Sequence, residues 1–99
     1  MWAVQTIWDN PNFVVGSETE PHNYSNSKVF QTRGEGLAAY GDAVKSGIPQ
    51  GSKNIMIDLW RTDPHPTRVG KLHTLVRHRH IWTDENGTHS NEFCGAVEV

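Results

Sequence analysis

The chain has 99 residues and a formal net charge of −2. A length near 100 residues fits one domain and allows a modest hydrophobic core. The lone cysteine, Cys94, excludes an internal disulfide and is typical of a reducing compartment. No apolar run approaches the ~20 residues that a membrane-spanning helix needs, and the first residues lack a signal-peptide pattern. We therefore expect a single domain over residues 1–99, in the cytoplasm and not attached to a membrane.

The first thirty residues predict one strand followed by a long loop. Apolar and polar residues alternate over residues 1–8, which is typical of a strand. A short apolar piece, residues 13–15, either adds a second strand or packs as a loop plug. Residues 16–27 are polar and rich in turn formers, so they predict a surface loop. A brief extended segment at residues 28–31 would then lead into a helix.

That helix is predicted over residues 33–46. Thr32 and Glu35 have the spacing of a capping box, and Gly47 provides the residue that ends the helix. Two internal glycines, Gly36 and Gly41, lower helix propensity and indicate close approach to a sheet. The expected packing face consists of Leu37, Tyr40, Ala43 and Val44.

The second half of the chain predicts three strands. Residues 53–61 alternate between Ile55, Ile57 and Leu59 on one face and Met56, Asp58 and Trp60 on the other. A connector over residues 62–70 contains two prolines. Strands over 71–83 and 88–99 then form a hairpin around Asn86-Gly87, with Phe93, Ala96, Val97 and Val99 expected in the core. The predicted fold is α+β: an antiparallel sheet of four to five strands, one helix on one face and a C-terminal β-hairpin.

Positive charge is concentrated between residues 61 and 80, where five basic side chains accompany one carboxylate. The middle of the first hairpin strand carries polar side chains on both faces, so we expect this strand to be exposed and available to a partner. Tryptophan and arginine are enriched among the residues that dominate binding energy at interfaces. The predicted binding residues are Arg61, His65, Arg68, Lys71, Arg77, His78, Arg79, His80 and Trp82.

Two other interpretations of this region stay open. His78 and His80 are two residues apart on a strand and could share a metal ion, with Glu92 or Cys94 as a third ligand if the hairpin register allows it. A solvated polar strand is the simpler interpretation, so no metal or other cofactor is predicted. Cys94 lies in an apolar context and is expected to be a buried structural cysteine.

The second interpretation is single-stranded nucleic-acid binding. Arginines suit phosphates, and Trp60 and Trp82 could stack on bases. The acidic net charge weakens this interpretation, and alternation places Arg77 and Arg79 on the face opposite His78 and His80.

No nucleophile elbow, phosphate-binding loop or acid–base pair is evident, so we expect no enzymatic activity. The pattern favours a small non-catalytic intracellular binding protein, comparable in kind to phage accessory or inhibitor proteins. Its partner would be a protein of unknown identity. A second copy of the chain, paired through the hairpin edge, is an alternative, as are nucleic acid and a His/Cys metal site.

Overall fold

The computed structural model describes residues 1–16, 18–65, 67 and 69–94. Within these ranges the chain forms a five-stranded antiparallel sheet and one helix, which packs on one face of the sheet. The elements in chain order are β1 (Trp2–Asp9), β2 (Asn23–Phe30), α1 (Arg33–Ser46), β3 (Asn54–Pro64), β4 (Lys71–Asp84) and β5 (Gly87–Cys94). The strand order is β2-β1-β3-β4-β5, so β2 and β5 are the edges. The α+β prediction, with one helix on the sheet and a C-terminal hairpin, is confirmed.

The hydrophobic core lies between α1 and the centre of the sheet. The side chains of Ile57 and Leu59 on β3 are fully buried, because β3 is the middle strand and its odd-numbered residues face the helix. Tyr40 is the buried aromatic residue that α1 contributes. Burying an aliphatic side chain of this size stabilises the fold by about 1.5–3 kcal/mol. The described core residues are Trp2, Val4, Tyr40, Ile55, Ile57, Leu59, Val76 and Ile81.

The ends of α1 follow the predicted capping chemistry. The Thr32 hydroxyl accepts a hydrogen bond from the Glu35 amide at 3.2 Å and donates one to the Glu35 carboxylate at 2.9 Å. Gly47 ends the helix with a φ of 68°, a conformation that favours glycine, and its amide donates to the Ala43 carbonyl. None of the helices in the described ranges has the length and apolar character needed to cross a membrane.

The prediction for the two helical glycines is right for one of them. A Cβ atom on Gly36 would lie 3.1 Å from the Trp2 Cβ and 3.3 Å from the Leu59 Cδ1, so this glycine lets the helix approach the sheet closely. For Gly41, none of the described residues comes within 4 Å of the corresponding position. The close approach is therefore made at the first turn of α1 and not at Gly41.

The loop predicted over residues 16–27 is wrong in its second part, because residues 23–27 belong to β2. This strand pairs with β1 along its whole length, from Trp2 opposite Phe30 to Asp9 opposite Asn23. Seven of its eight residues are exposed, since it is an edge strand and α1 packs mainly on β1 and β3. Its sequence therefore shows no apolar alternation. The apolar piece at residues 13–15 is neither strand nor plug: Val14 and Val15 are exposed, and the Phe13 ring contacts the His22 ring.

The hairpin turns at Glu85-Asn86, with Asp84 opposite Gly87. Gly87 alone carries the positive φ, at 116°, because its missing side chain permits it there. Two predictions for β5 are wrong: Phe93 is 58% exposed instead of buried, and Cys94 is exposed as well. Both lie on an edge strand that α1 does not contact closely. The residues predicted to complete the core, Ala96, Val97 and Val99, lie outside the described residues.

Candidate functional site

One face of the sheet packs on α1, and in the described part of the chain no helix or second sheet packs on the other. We call this other side the uncovered face. Strand alternation and the pairing registers assign side chains of all five strands to it. They include Ala3, Gln5, Ile7 and Asp9 of β1, Ser25, Ser27 and Val29 of β2, Met56, Asp58 and Trp60 of β3, Lys71, His73, Leu75, His78, His80, Trp82 and Asp84 of β4, and His89, Asn91 and Phe93 of β5.

A β-bulge decides which histidines reach the uncovered face. On β4, Arg77 lies opposite Leu59 but Leu75 lies opposite Trp60, so Val76 is an extra residue in the strand. The extra residue reverses the alternation. As a result His73, before the bulge, shares a face with His78 and His80, after it. The hydrogen bond between the Thr62 hydroxyl and His73 Nδ1, at 2.9 Å, fits this placement.

Trp82 stands between two imidazole rings. Its ring centroid lies 5.0 Å from that of His80 on the same strand and 5.3 Å from that of His89, which is directly opposite on β5. These distances are typical of aromatic pairs in contact. A depression of about 440 Å³ adjoins the cluster, lined by Lys53, Asn54, Met56, His80, Trp82 and Thr83. The indole is only partly buried, so one surface of this cluster is accessible to a partner.

Carboxylates beside the histidines are hydrogen bonded to them. Asp58 on β3 is directly opposite His78 and bonds to its Nδ1. Asp84 bonds to His89 Nε2 at 2.9 Å and accepts from the Asn86 amide at 2.8 Å. The bond from His89, followed by the bond from the Asn86 amide, lowers the pKa of Asp84 below its usual value. Both carboxylates therefore orient imidazoles on the uncovered face.

The predicted basic region is divided between the two sides of the sheet. Arg77 and Arg79 lie on the helix side, opposite Leu59 and Ile57. Arg79 forms an ion pair with Glu92, and its Nη1 donates to the Ser90 hydroxyl at 2.7 Å. Arg77 and Arg79, which are among the predicted binding residues, therefore lie on the opposite face from His78, His80 and Trp82, as the alternation along the strand predicts.

Three of the four remaining predicted binding residues lie toward the other end of the sheet. Arg61 is on the helix side, where its Nε donates to Asp63 at 2.9 Å. His65 follows β3, and its Nδ1 accepts from the Thr67 amide at 3.2 Å. Lys71 begins β4 and is exposed on the uncovered face. Arg68 lies outside the described residues.

The structure does not assemble the hypothetical metal site. Glu92 and Cys94 lie opposite Arg79 and Arg77, so both belong to the helix side, away from His78 and His80. Within the described ranges, no group of three histidine, cysteine, aspartate or glutamate residues is placed to hold a metal ion. The reason is the register of the hairpin between β4 and β5, which the sequence did not determine and which turns Glu92 and Cys94 away from His78 and His80.

A second concavity, of about 530 Å³, lies on the helix side between α1 and strands β1 and β2. Trp8, Phe30 and Ala43 contribute apolar surface, and Lys28 and Asp42 contribute charge. Its described lining includes the hydroxyls of Thr6 and Ser46 but neither histidine nor cysteine. The groove therefore does not place a hydroxyl nucleophile beside an imidazole base.

His73 and His89 are the two histidines of the uncovered face that are absent from the predicted binding residues. His89 could have been found, because a two-residue turn at Glu85-Asn86 places it opposite Trp82. No sequence signal marks the bulge that brings in His73.

A scan against protein-family models found no match, and neither the search of curated proteins nor that of solved structures returned one.

Proposed function

We propose that this chain is a non-catalytic protein-binding domain whose contact surface is the uncovered face, centred on Trp82. The observation that carries the proposal is the partly exposed indole held between His80 and His89, with a depression beside it. A sheet of an α+β domain normally buries one face against its helices and leaves the other to solvent or to a partner. Here the second face presents aromatic and sulfur-containing side chains, the types enriched at protein interfaces.

The composition of the face supports a concentrated binding centre. Trp60 and Met56 on β3 are partly exposed, and Phe93 on β5 is more than half exposed. Tryptophan is among the residues whose truncation at an interface most often costs 2 kcal/mol or more. Trp82 is oriented by its two ring contacts before binding, which reduces the entropy lost when a partner docks.

The placement of the arginines supports a protein partner over single-stranded nucleic acid. A nucleic-acid platform combines stacking rings with a groove of cations that follows the phosphates. Arg77 and Arg79 face away from Trp60 and Trp82, and Arg79 is paired with Glu92. The lysines nearest the stacking rings are Lys53 and Lys71, which lie near opposite ends of β3 and β4.

Photo-crosslinking from two aromatic positions tests this proposal. Benzoylphenylalanine is introduced at Phe93, on the uncovered face, and in a matched variant at Tyr24, which lies on the helix side of β2 opposite Trp8. Each variant is irradiated in a lysate of the source cells, with and without nuclease treatment. We expect a protein adduct from position 93 and none from position 24. The crosslinked protein is then identified, purified and titrated with the wild-type chain.

The titration includes Trp82→Ala. We expect its dissociation constant to rise by more than about tenfold, in line with the loss of about 2 kcal/mol typical of a central tryptophan. Unchanged melting temperature would show that the domain is intact. Adducts formed equally from both positions, or adducts that nuclease treatment removes, would contradict the proposal; the second result would favour nucleic acid.

A further inference from the structure

The histidines are not distributed evenly over the molecule. Four of the six, His73, His78, His80 and His89, lie on the uncovered face, and the bulge at Val76 is what adds His73 to the set. Imidazole is the side chain whose charge ordinarily changes between pH 5 and 8. The charge of this face, more than that of the rest of the molecule, therefore depends on pH.

The other charged groups around these imidazoles determine the sign of that change. Lys71 on β4 and Lys53, before β3, contribute fixed positive charge. The described carboxylates at this face and at the hairpin tip are Asp9 at the end of β1, Asp58 on β3, Asp84 on β4 and Glu85 in the turn. β2 contributes only uncharged side chains to this face.

These groups give the face opposite charges in its two protonation states. With neutral imidazoles, two lysines accompany four carboxylates, so the face is weakly acidic. With protonated imidazoles, six cations accompany the same four carboxylates. Asp9, Asp58 and Asp84 also accept hydrogen bonds from backbone amides or imidazoles. These bonds reduce the capacity of the three carboxylates to bind a cationic partner.

From this arrangement we infer that the uncovered face binds an acidic polypeptide segment, and that binding is switched on as the pH falls from 8 to 5.5. The inference rests on the proposed function and specifies the partner and the regulation of the same surface. Aspartate and glutamate side chains stay ionised over this range, because their ordinary pKa values lie near 4. The partner therefore keeps its charge while the face becomes cationic, and complementary charge strengthens association.

A defined peptide tests the inference independently of the natural partner. The probe is a rhodamine-labelled 21-residue Glu-Gly-Ser repeat, with a Gln-Gly-Ser repeat as the uncharged counterpart. Fluorescence anisotropy with the full chain is measured at pH 5.5 and pH 8 in low salt. We expect at least tenfold tighter binding of the acidic peptide at pH 5.5, and no such dependence for the glutamine peptide.

A triple variant and a double control variant assign the effect to the face. His78→Asn, His80→Asn and His89→Asn together should remove most of the pH dependence, because His73 is then the one imidazole left on the face. The control, His22→Asn with His65→Asn, removes imidazoles that lie in loops outside the face and should retain it. If the triple variant is less stable, single His80→Asn and His89→Asn variants should each reduce the dependence in part, at unchanged melting temperature.

Several outcomes overturn the inference: no binding of the acidic peptide, equal binding at both pH values, or a triple variant that behaves as wild type. Tighter binding of a labelled (dT)20 oligonucleotide than of the acidic peptide at pH 5.5 would assign the face to nucleic acid. A protein adduct at Phe93 with pH-independent affinity would leave the proposed function standing and reject only the acidic, pH-switched partner.

Discussion

Asp9, the last residue of β1, forms three hydrogen bonds with the residues that lead into β3, residues 52–54. Its carboxylate accepts from the amides of Lys53 and Asn54 at 2.8 and 2.9 Å, and its carbonyl accepts from the Ser52 hydroxyl at 2.8 Å. Burial acts to raise the pKa of Asp9, but the amides of Asn54 and Lys53 outweigh burial, so the pKa lies below its usual 3.8. The charged form is therefore the one that stabilises the folded state.

We expect Asp9→Ala to lower the free energy of unfolding at pH 7 by about 1–2 kcal/mol, since two amides lose a partly solvated acceptor. Because folding lowers the pKa of Asp9, its carboxylate stabilises the folded state at pH values above the ordinary pKa. This stabilisation is lost as the pH falls through the folded-state pKa. The difference between wild type and variant should therefore shrink below about pH 4. Urea unfolding at pH 7 and pH 3 measures it. Asp42→Ala, on the exposed side of α1, is the control; an equal effect there would contradict this role for Asp9.

Tyr40 is 4% exposed and packs in the core, and among the described residues its buried hydroxyl has no hydrogen-bond partner of ordinary geometry. We expect Tyr40→Phe to leave the free energy of unfolding unchanged or to raise it by up to about 1 kcal/mol, because an unsatisfied polar group is removed. Tyr40→Ala should lower it by about 3–5 kcal/mol through loss of the ring. Chemical denaturation of both variants measures these free energies. A free energy of unfolding lowered by more than about 1 kcal/mol in Tyr40→Phe would show that the hydroxyl is hydrogen bonded.

The same hydroxyl predicts behaviour in alkaline solution. Burial and the negative charge of Glu92 raise the pKa of Tyr40, while Arg79 and Arg77 act in the opposite direction. Because folding raises the pKa of Tyr40, the neutral hydroxyl makes its full contribution to the free energy of unfolding below about pH 10. This contribution is lost as the pH rises through the folded-state pKa. Stability measured from pH 9 to 11.5 should fall less steeply in Tyr40→Phe than in wild type. Identical slopes would show that Tyr40 does not contribute to alkaline unfolding.

At the scale of the element, the two glycines of α1 should respond oppositely to alanine. Gly36→Ala places a methyl group 3.1 Å from the Trp2 Cβ, so the helix must shift, and we expect a loss of about 1–3 kcal/mol. Gly41→Ala meets open space in an exposed helical position, and we expect a gain of about 0.5–1 kcal/mol from helix propensity. Urea unfolding of the pair compares them directly. Destabilisation by Gly41→Ala would mean that a partner or loop contacts this side of α1.

The elements that the sequence predicted correctly are those whose local chemistry decides their structure. The helix is defined by Thr32, Glu35 and Gly47, and β3 by alternation at Ile55, Ile57 and Leu59. The first part of β2, residues 23–27, was mistaken for a loop because an edge strand exposed on both faces needs no apolar alternation. Its strand conformation comes from hydrogen bonding to β1, a tertiary interaction that the residues 23–30 do not encode by themselves.

At the scale of the whole molecule, the candidate site was predicted only in part. His78, His80 and Trp82 could be assigned to one face from their spacing on a strand. The register of β5 and the extra residue in β4 could not be predicted. The register places Glu92 and Cys94 on the helix side and His89 on the uncovered face, and the extra residue brings His73 to the uncovered face. A shift of one residue in either pairing reverses which side chains share a face, so a correct list of strands does not fix a site on a sheet.

The whole molecule is a slab with Cα extents of 45 × 31 × 19 Å and a radius of gyration of 15.5 Å, larger than the ~13 Å typical of a compact 100-residue domain. Pairing two copies through their uncovered faces would double the thinnest dimension and bring eight imidazoles together. Protonation would then place like charges against one another, which opposes association. We therefore expect a monomer at pH 5.5, with a radius of gyration from small-angle X-ray scattering close to that at pH 8. A radius that increases on acidification would show that like charge on this face does not prevent self-association, and would make a second copy, not an acidic segment, its occupant.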